Sequence, residues 1–286
     1  MTGFNLNKVK RHFTELLSTR FTMREANQLM RILLEDLFGI DLKQELLYPE
    51  LRIDELQHAT LEEAVNKLLK GMPIQYVTGI ARFDDLVLHV DESVLIPRPE
   101  TEGLVNHALK GFRRDCPLRV WDVGTGSGCV AIAVAKRLPQ AKVLAFDIDE
   151  HALNTARNNA ALNQVDVELV RDDVLAPTSE QWHRPVDLVI SNPPYVREQE
   201  RSTMELTVLD FEPHIALFVP DDDPLRFYRQ ILHLSMPQLT HDGAVWFEIN
   251  EAMGEEMLQL CQSMNLKGTL YVDFAGKTRF CCDNFY

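Results

Sequence analysis

The stretch Leu118-Arg119-Val120-Trp121-Asp122-Val123-Gly124-Thr125-Gly126-Ser127-Gly128-Cys129 decides the fold. A mostly apolar, β-favouring run ends at Val123 in a GxGxG loop, and residues 129–138 continue as a helix of small apolar residues. Strand, glycine turn and helix therefore follow one another without a break. Downstream the alternation repeats. Strand patterns occur at 142–147 (KVLAFD), 167–170 (VELV), 186–191 (VDLVIS) and 244–249 (AVWFEI), and helix patterns at 151–162, 225–239 and 253–264. Two strand-like runs, 268–273 and 278–285, come last with no helix between them, which predicts an antiparallel hairpin at the sheet edge. Together these patterns predict an α/β fold: a doubly wound, mostly parallel seven-stranded sheet with helices on both faces.

Upstream the texture changes. In residues 1–72 apolar side chains recur at spacings of three and four, among them Leu16, Leu17, Phe21, Leu29, Leu33 and Leu37, as in a small helical bundle. Thr22 with Glu25, and Thr60 with Glu63, read as capping boxes that open helices, and Gly71 as a helix stop. Between Pro73 and Pro99, Phe83, Leu86, Leu88 and Val90 sit two or three apart, a hairpin pattern that ends in the proline-stiffened LIPRPETE before a helix near Glu100. The predicted plan is a helical substrate-docking domain at 1–72, a β-hairpin linker at 73–99 and the sheet domain at 100–286.

Composition narrows the function classes. A chain of 286 residues, 45% hydrophobic and 25% charged, is that of an ordinary globular protein. It has no run of the ~18 apolar residues that a membrane span needs, and MTGFNLNKVKRHF lacks the apolar core of a signal peptide, so the expectation is a cytoplasmic protein without a membrane partner. A net charge of -14 disfavours a phosphate-backbone partner. Residues 1–31 carry a local excess of basic side chains, which fits the solvated faces of short helices more readily than a surface for an acidic partner. The five cysteines, Cys116, Cys129, Cys261, Cys281 and Cys282, show no zinc spacing or CxxC pair, so no metal and no disulfide framework is expected.

In an open parallel sheet, ligands bind where the strands end, near the switch in strand order. Here that place holds Gly124, Thr125, Gly126, Ser127 and Gly128. Glycines let the backbone turn tightly and a ligand come close. The GxGxG spacing is not the GxGxxG of a dinucleotide loop. Asp147, at the end of the second strand, is placed to accept from both hydroxyls of a ribose. Asp172–Asp173, after the third, is placed to meet an adenine amino group. A free ribose with a phosphate-free tail fits this better than NAD, and the three-part pattern resembles that of S-adenosylmethionine-dependent methyltransferases of the doubly wound class.

The fourth strand ends in Ser191-Asn192-Pro193-Pro194-Tyr195. Paired prolines stiffen the chain and remove two donors, Asn192 offers an amide oxygen and Tyr195 a ring, a set suited to a planar substrate bearing an NH2 group. This motif is similar to that of methyltransferases acting on adenine-N6, cytosine-N4 or protein glutamine. PIQYVTGIARF (73–83), LIPRPETE (95–102), FEPHIAL (211–217) and DFAGKTRF (273–280) choose among them, and resemble the peptide chain release factor glutamine-N5 methyltransferase family. The related ribosomal-protein glutamine methyltransferases share the fold, but their linker departs from the RPETE form.

The resemblance implies a Rossmann-like class I methyltransferase that uses S-adenosyl-L-methionine and yields S-adenosyl-L-homocysteine. The implied substrate is the glutamine of the Gly-Gly-Gln motif in class 1 peptide chain release factors. It further implies that Gly124–Gly128, Asp147, Asp173, Val174 and Asn192 hold the cofactor. Val174 stands where some members carry an aromatic ring. Asn192, Pro193, Pro194 and Tyr195 would bind the glutamine amide, with Asn192, Pro193 and Tyr195 serving catalysis. Arg98 and Glu100 would clamp substrate or cofactor, or staple the two domains. The alternatives are an amino-methyltransferase acting on nucleic acid, which needs a basic groove that the -14 charge disfavours, a ribosomal-protein enzyme, and a non-catalytic scaffold.

Overall fold

Two units make up the chain, Met1–Ile80 and Ala81–Tyr286, and the computed structural model describes residues 3–284. In the first unit the helices are α1 (Leu6–Leu17), α2 (Met23–Phe38), α3 (Leu42–Leu47), α4 (Glu55–Leu69) and α5 (Ile74–Thr78). Their apolar stripes meet in a core of Phe13, Leu17, Met30, Leu33, Leu34, Leu61 and Val65. The capping box at Thr22 and Glu25 is formed. The one expected at Thr60 is not. Helix α4 opens six residues earlier, where the Asp54 side chain accepts from Gln57 N–H and the Asp54 N–H donates to Gln57 Oε1. Thr60 lies inside the helix, its hydroxyl donating to the Leu56 carbonyl at 2.9 Å. A carboxylate beside the true first turn outcompetes a hydroxyl six residues further along.

Of the segment 73–99, α5 lies in the first unit. The hairpin Ile80–Phe83/Leu86–His89 falls almost wholly in the second.

The second unit is built on the sheet. Its strands are β1 (Arg119–Val123), β2 (Lys142–Asp147), β3 (Glu168–Arg171), β4 (Val186–Ser191), β5 (Leu239–Glu248), β6 (Lys267–Val272) and β7 (Thr278–Asn284). The order is β6-β7-β5-β4-β1-β2-β3 across seven strands. All neighbours run parallel except β7, which is antiparallel to both β5 and β6. The expected doubly wound, mostly parallel sheet is present, and the terminal hairpin inserts its second strand between β5 and the edge strand β6. Strand β5 starts at Leu239, not Ala244, because Pro237 ends the preceding helix early and an irregularity absorbs the residues between Leu239 and Ala244.

Helices α6 (Pro99–Ala108), α7 (Cys129–Arg137), α8 (Glu150–Leu162), α9 (Leu206–Phe211), α10 (Arg226–Ser235) and α11 (Gly254–Ser263) surround this sheet. Side chains of β1 alternate between two cores. Val120 packs with Leu104, Val130, Val134 and the hairpin's Leu88, whereas Trp121 and Val123 pack with Tyr228, Ile231 and Met257. Pro99 occupies the first turn of α6, where its missing N–H costs nothing. Gly103 lets α6 lie on β7, since a Cβ there would come within 2.8 Å of the Phe280 ring. The hairpin is tied to α8 by Asn159, which accepts from His89 N–H at 2.6 Å and donates to the His89 carbonyl at 2.9 Å. No helix among the described residues is long and apolar enough to cross a membrane.

Candidate active site

Strand order reverses between β1 and β4, and their carboxyl ends open onto a cavity of about 280 Å³. Its lining includes Gly124–Ser127, Asp147, Asp173, Val174 and Asn192–Pro194. A larger open depression of about 1250 Å³ lies at the opposite ends of the strands, around Arg119, Lys142 and Glu168, and contains none of the motif residues. The glycine loop, Asp147 and Asn192–Pro194 all line the first.

The glycine loop is held by backbone donors and buried carboxylates. The N–H groups of Gly124 and Thr125 both donate to the Phe146 carbonyl at 2.9 Å. Below the loop, Asp122 accepts from the Thr125 hydroxyl at 2.7 Å and from Ala131 N–H at 3.0 Å. Burial pushes this carboxyl up to about 7, against the pull of those donors. Asp147 accepts from Gly126 N–H at 2.8 Å and from Asp149 N–H at 3.0 Å. Burial raises its pKa above the usual carboxylate value, and those two donors oppose the rise.

The Asp147 carboxylate is held by these backbone donors and lines the cavity, where a ligand hydroxyl can reach it. A Cβ at Gly124 or Gly126 would meet nothing within 4 Å, so open space lies over the loop for a ligand. At Gly128, where φ is +82°, a Cβ would come within 3.0 Å of Ala156 and Ile132. Only glycine lets α7 and α8 pack this closely. Beside the loop the Cys129 thiol is pushed up to about 12 by burial, which leaves it unreactive.

The acidic pair after β3 divides its labour. Asp172 is consumed by the turn: its carboxylate accepts from Thr178 N–H and hydroxyl, Ser179 N–H and the Trp182 indole. Burial alone would raise its pKa, but these donors prevail and lower it. Among the described residues the Asp173 carboxylate accepts only from Leu175 N–H, at 2.8 Å, and Asp173 lines the cavity beside Val174. The residues that fit an adenosyl group are thus Asp147, Asp173 and the open loop.

On the other side, Asn192 donates through Nδ2 to the Thr101 hydroxyl at 3.1 Å. Its Oδ1 and the Pro193 carbonyl accept no hydrogen bond among the described residues. Thr101 in turn donates to Glu248 Oε2 at 2.8 Å, and Tyr195 donates to Glu248 Oε1 at 3.0 Å. Glu248 is 1% exposed. Burial raises its pKa, while the two hydroxyls and nearby Arg279 oppose the rise. Burial and the Glu248 charge push the Tyr195 phenol well above its usual value, so it stays protonated.

Sequence reasoning missed Thr101 and Glu248. The signals were a threonine inside PETE and one acidic residue in the apolar run AVWFEI. It also missed the role of Glu212 in FEPHIAL, which pairs with Arg98 and accepts from Ile96 N–H at 3.2 Å. Arg98 is therefore committed to an ion pair at the cavity wall, and the Glu100 side chain makes no hydrogen bond among the described residues. No group of three or more metal-binding side chains occurs among the described residues.

Comparison with known proteins follows the same lines. A family model for the methyltransferase small domain matches residues 104–209, and one for the PrmC N-terminal domain matches residues 9–79. The chain is 38% identical to the release factor glutamine methyltransferase of Flavobacterium psychrophilum, over 98% of this chain and 99% of that relative. It is also 38% identical to the protein of the same name from Bacteroides thetaiotaomicron, over 98% of this chain and 100% of that relative. Among solved structures, the T. thermophilus 16S rRNA N2 G1207 methyltransferase, in complex with AdoMet and guanosine, aligns with a TM-score of 0.52 at 13% identity. That alignment covers 72% of this chain and 50% of that one, and shows the fold alone.

Proposed function

The chain belongs to the release factor glutamine methyltransferase family, and from that membership we propose that it methylates the side-chain amide nitrogen (N5) of the glutamine in the Gly-Gly-Gln motif of class 1 release factors. The observation that carries this reading is the Asn192 amide: its NH2 is tied to Thr101, and its oxygen stands unpaired at a cavity shared with the glycine loop.

S-adenosylmethionine, the family's cofactor, supplies an electrophilic methyl group. Gly124–Gly128, Asp147 and Asp173 are the residues that would hold it, with Val174 as an apolar wall. An amide nitrogen is a poor nucleophile, because its lone pair is delocalised into the carbonyl. Asn192 Oδ1 and the Pro193 carbonyl accept its two hydrogens and fix the nitrogen, while Pro194 walls the pocket; Tyr195, expected to join them, is not among the cavity-lining residues, and its hydroxyl is held by Glu248. Each bond contributes about 0.5–1.5 kcal/mol net, and orientation contributes several more. Positive charge grows on nitrogen during attack, so these acceptors stabilise the transition state more than the ground state. The proton can leave afterwards, and no strong base is needed.

The helical N-terminal unit, in this reading, docks the release factor. The exposed Leu46, Leu47 and Tyr48 in and just after α3 support that role. The net charge of -14 supports a protein substrate over nucleic acid. The test incubates the protein with methyl-labelled S-adenosylmethionine and a class 1 release factor, its Gly-Gly-Ala variant, a ribosomal-protein fraction or plasmid DNA. Label is expected on the intact release factor alone. Label on DNA, or equal label on the variant, overturns the reading.

A further inference from the structure

We propose that Glu248, acting through Thr101, sets which way round the Asn192 amide sits, and so makes the acceptor face the reacting nitrogen. The inference rests on the reading of Asn192 given above and adds two positioning residues to it.

Hydrogens are committed in turn along a chain of three side chains, Glu248, Thr101 and Asn192. A buried carboxylate only accepts, and the two hydroxyls within reach of Glu248, those of Thr101 and Tyr195, donate to its two oxygens at 2.8 and 3.0 Å. Thr101 has a single hydroxyl hydrogen. Once that hydrogen is committed to Glu248, Thr101 can only accept on its other side, and the group it meets there at 3.1 Å must be a donor. Asn192 therefore turns its NH2 toward Thr101 and its oxygen away.

This matters because an amide's oxygen and nitrogen are almost the same size. Packing alone does not distinguish the two orientations, and hydrogen bonds decide. The flipped amide would aim an NH2 at the substrate's own NH2, replacing an acceptor by a donor. Donation from Nδ2 into a chain that ends on a carboxylate also polarises the amide and strengthens Oδ1 as an acceptor. Glu248 further holds the Tyr195 hydroxyl, so both ends of the Asn192–Tyr195 motif hang on one carboxylate. Thr101 comes from the first turn of α6 and Glu248 from the end of β5. Gly103 lets that helix approach β7, the neighbour of β5.

The experiment measures kcat, KM for a class 1 release factor and affinity for S-adenosylmethionine in Thr101→Val, Thr101→Ser, Glu248→Gln and the double variant Thr101→Val/Glu248→Gln, with Asn192→Ala alongside. Thr101→Val, which keeps the shape but can neither donate nor accept, is expected to lower kcat on the order of 10–100-fold. KM and cofactor affinity should stay within about threefold, as for a group that acts only in the transition state. Thr101→Ser, which keeps the hydroxyl, should recover most of that loss. Glu248→Gln can accept from only one of the two hydroxyls and should lose less than Thr101→Val. The double variant should be no slower than the product of two independent effects predicts, and in fact faster than that product.

A normal kcat in Thr101→Val with Asn192→Ala slow overturns the relay and leaves the site reading standing. So does an equal loss in Thr101→Ser, a loss that falls on cofactor affinity, or a double variant whose effects multiply. A normal kcat in Asn192→Ala overturns the site reading and the relay with it.

Discussion

The two sides of the cleft are built by different means. On the β1–β2 side the loop is held by its own neighbourhood: Asp147 meets backbone N–H groups of Gly126 and Asp149, and Asp122 meets Thr125 and Ala131, all within 21 residues of chain. On the β4–β5 side the contacts are between side chains far apart in the chain. Asn192 reaches Thr101 across 91 residues, and Thr101 reaches Glu248 across 147. A site held by local backbone contacts tolerates change elsewhere in the chain. One assembled from distant side chains depends on every helix and strand being in place.

If the two sides do separate tasks, substitutions should separate them too. The largest effect is expected at Asn192. Asn192→Ala should slow methyl transfer by about 10²–10³-fold while S-adenosylmethionine affinity stays near that of the parent chain, read by single-turnover kinetics and calorimetry. Loss of cofactor affinity with unchanged turnover at saturation would mean that Asn192 belongs to the other side.

Asp122 comes next, and it concerns stability. Its folded pKa, about 7, lies above its ordinary 3.8, so between these values the folded chain binds more proton than the unfolded one. This contribution is therefore present at low pH, falls as pH rises through that window, and is gone above about 7. Asp122→Asn removes the titration, so its stability relative to the parent should rise by roughly 2–3 kcal/mol from pH 5 to pH 8, at 1.36 kcal/mol per pKa unit. Parallel unfolding curves for the two proteins across that range would show that Asp122 does not carry the buried proton.

The smallest effect, on the order of tenfold, is expected at Asp147. Asp147→Ala should weaken cofactor binding by that factor, since both ribose hydroxyls lose their charged acceptor but can bond to water instead, while kcat at saturating cofactor changes little. A fall in kcat at saturation would blur the division between the two sides.

The same contrast explains what could be read from the sequence. The glycine loop, Asp147 and the Asn192–Tyr195 motif are contiguous patterns, and the strand–helix alternation around them is local, so both were legible. Thr101 and Glu248 carry no local mark of their partnership, because a bond spanning 147 residues is a property of the folded sheet. Of the adjacent Asp172 and Asp173, only the fold reveals that the first is used up by Thr178, Ser179 and Trp182. The start of α4 was misplaced because two capping signals compete within a few residues, and the chain uses the stronger, at Asp54. Cys281 is buried, whereas the side chain of Cys282 lies outside the described residues.

The placement of β7 has a consequence for the order of folding. Strand β6 precedes β7 in the chain, yet its ladder partner is β7, which in turn joins it to β5. The edge therefore cannot zip up in sequence order. The simplest order closes the local β6–β7 hairpin first and then docks it as one piece on β5, a long-range pairing that is slow compared with local contacts. Docking sets Phe280 opposite Glu248 in the ladder, so the carboxylate that anchors Thr101 and Tyr195 gains its last strand neighbour only then. In hydrogen exchange, β6 and β7 should open together as one cooperative unit, and the side of the cleft that holds Asn192 should loosen with them before the glycine loop does.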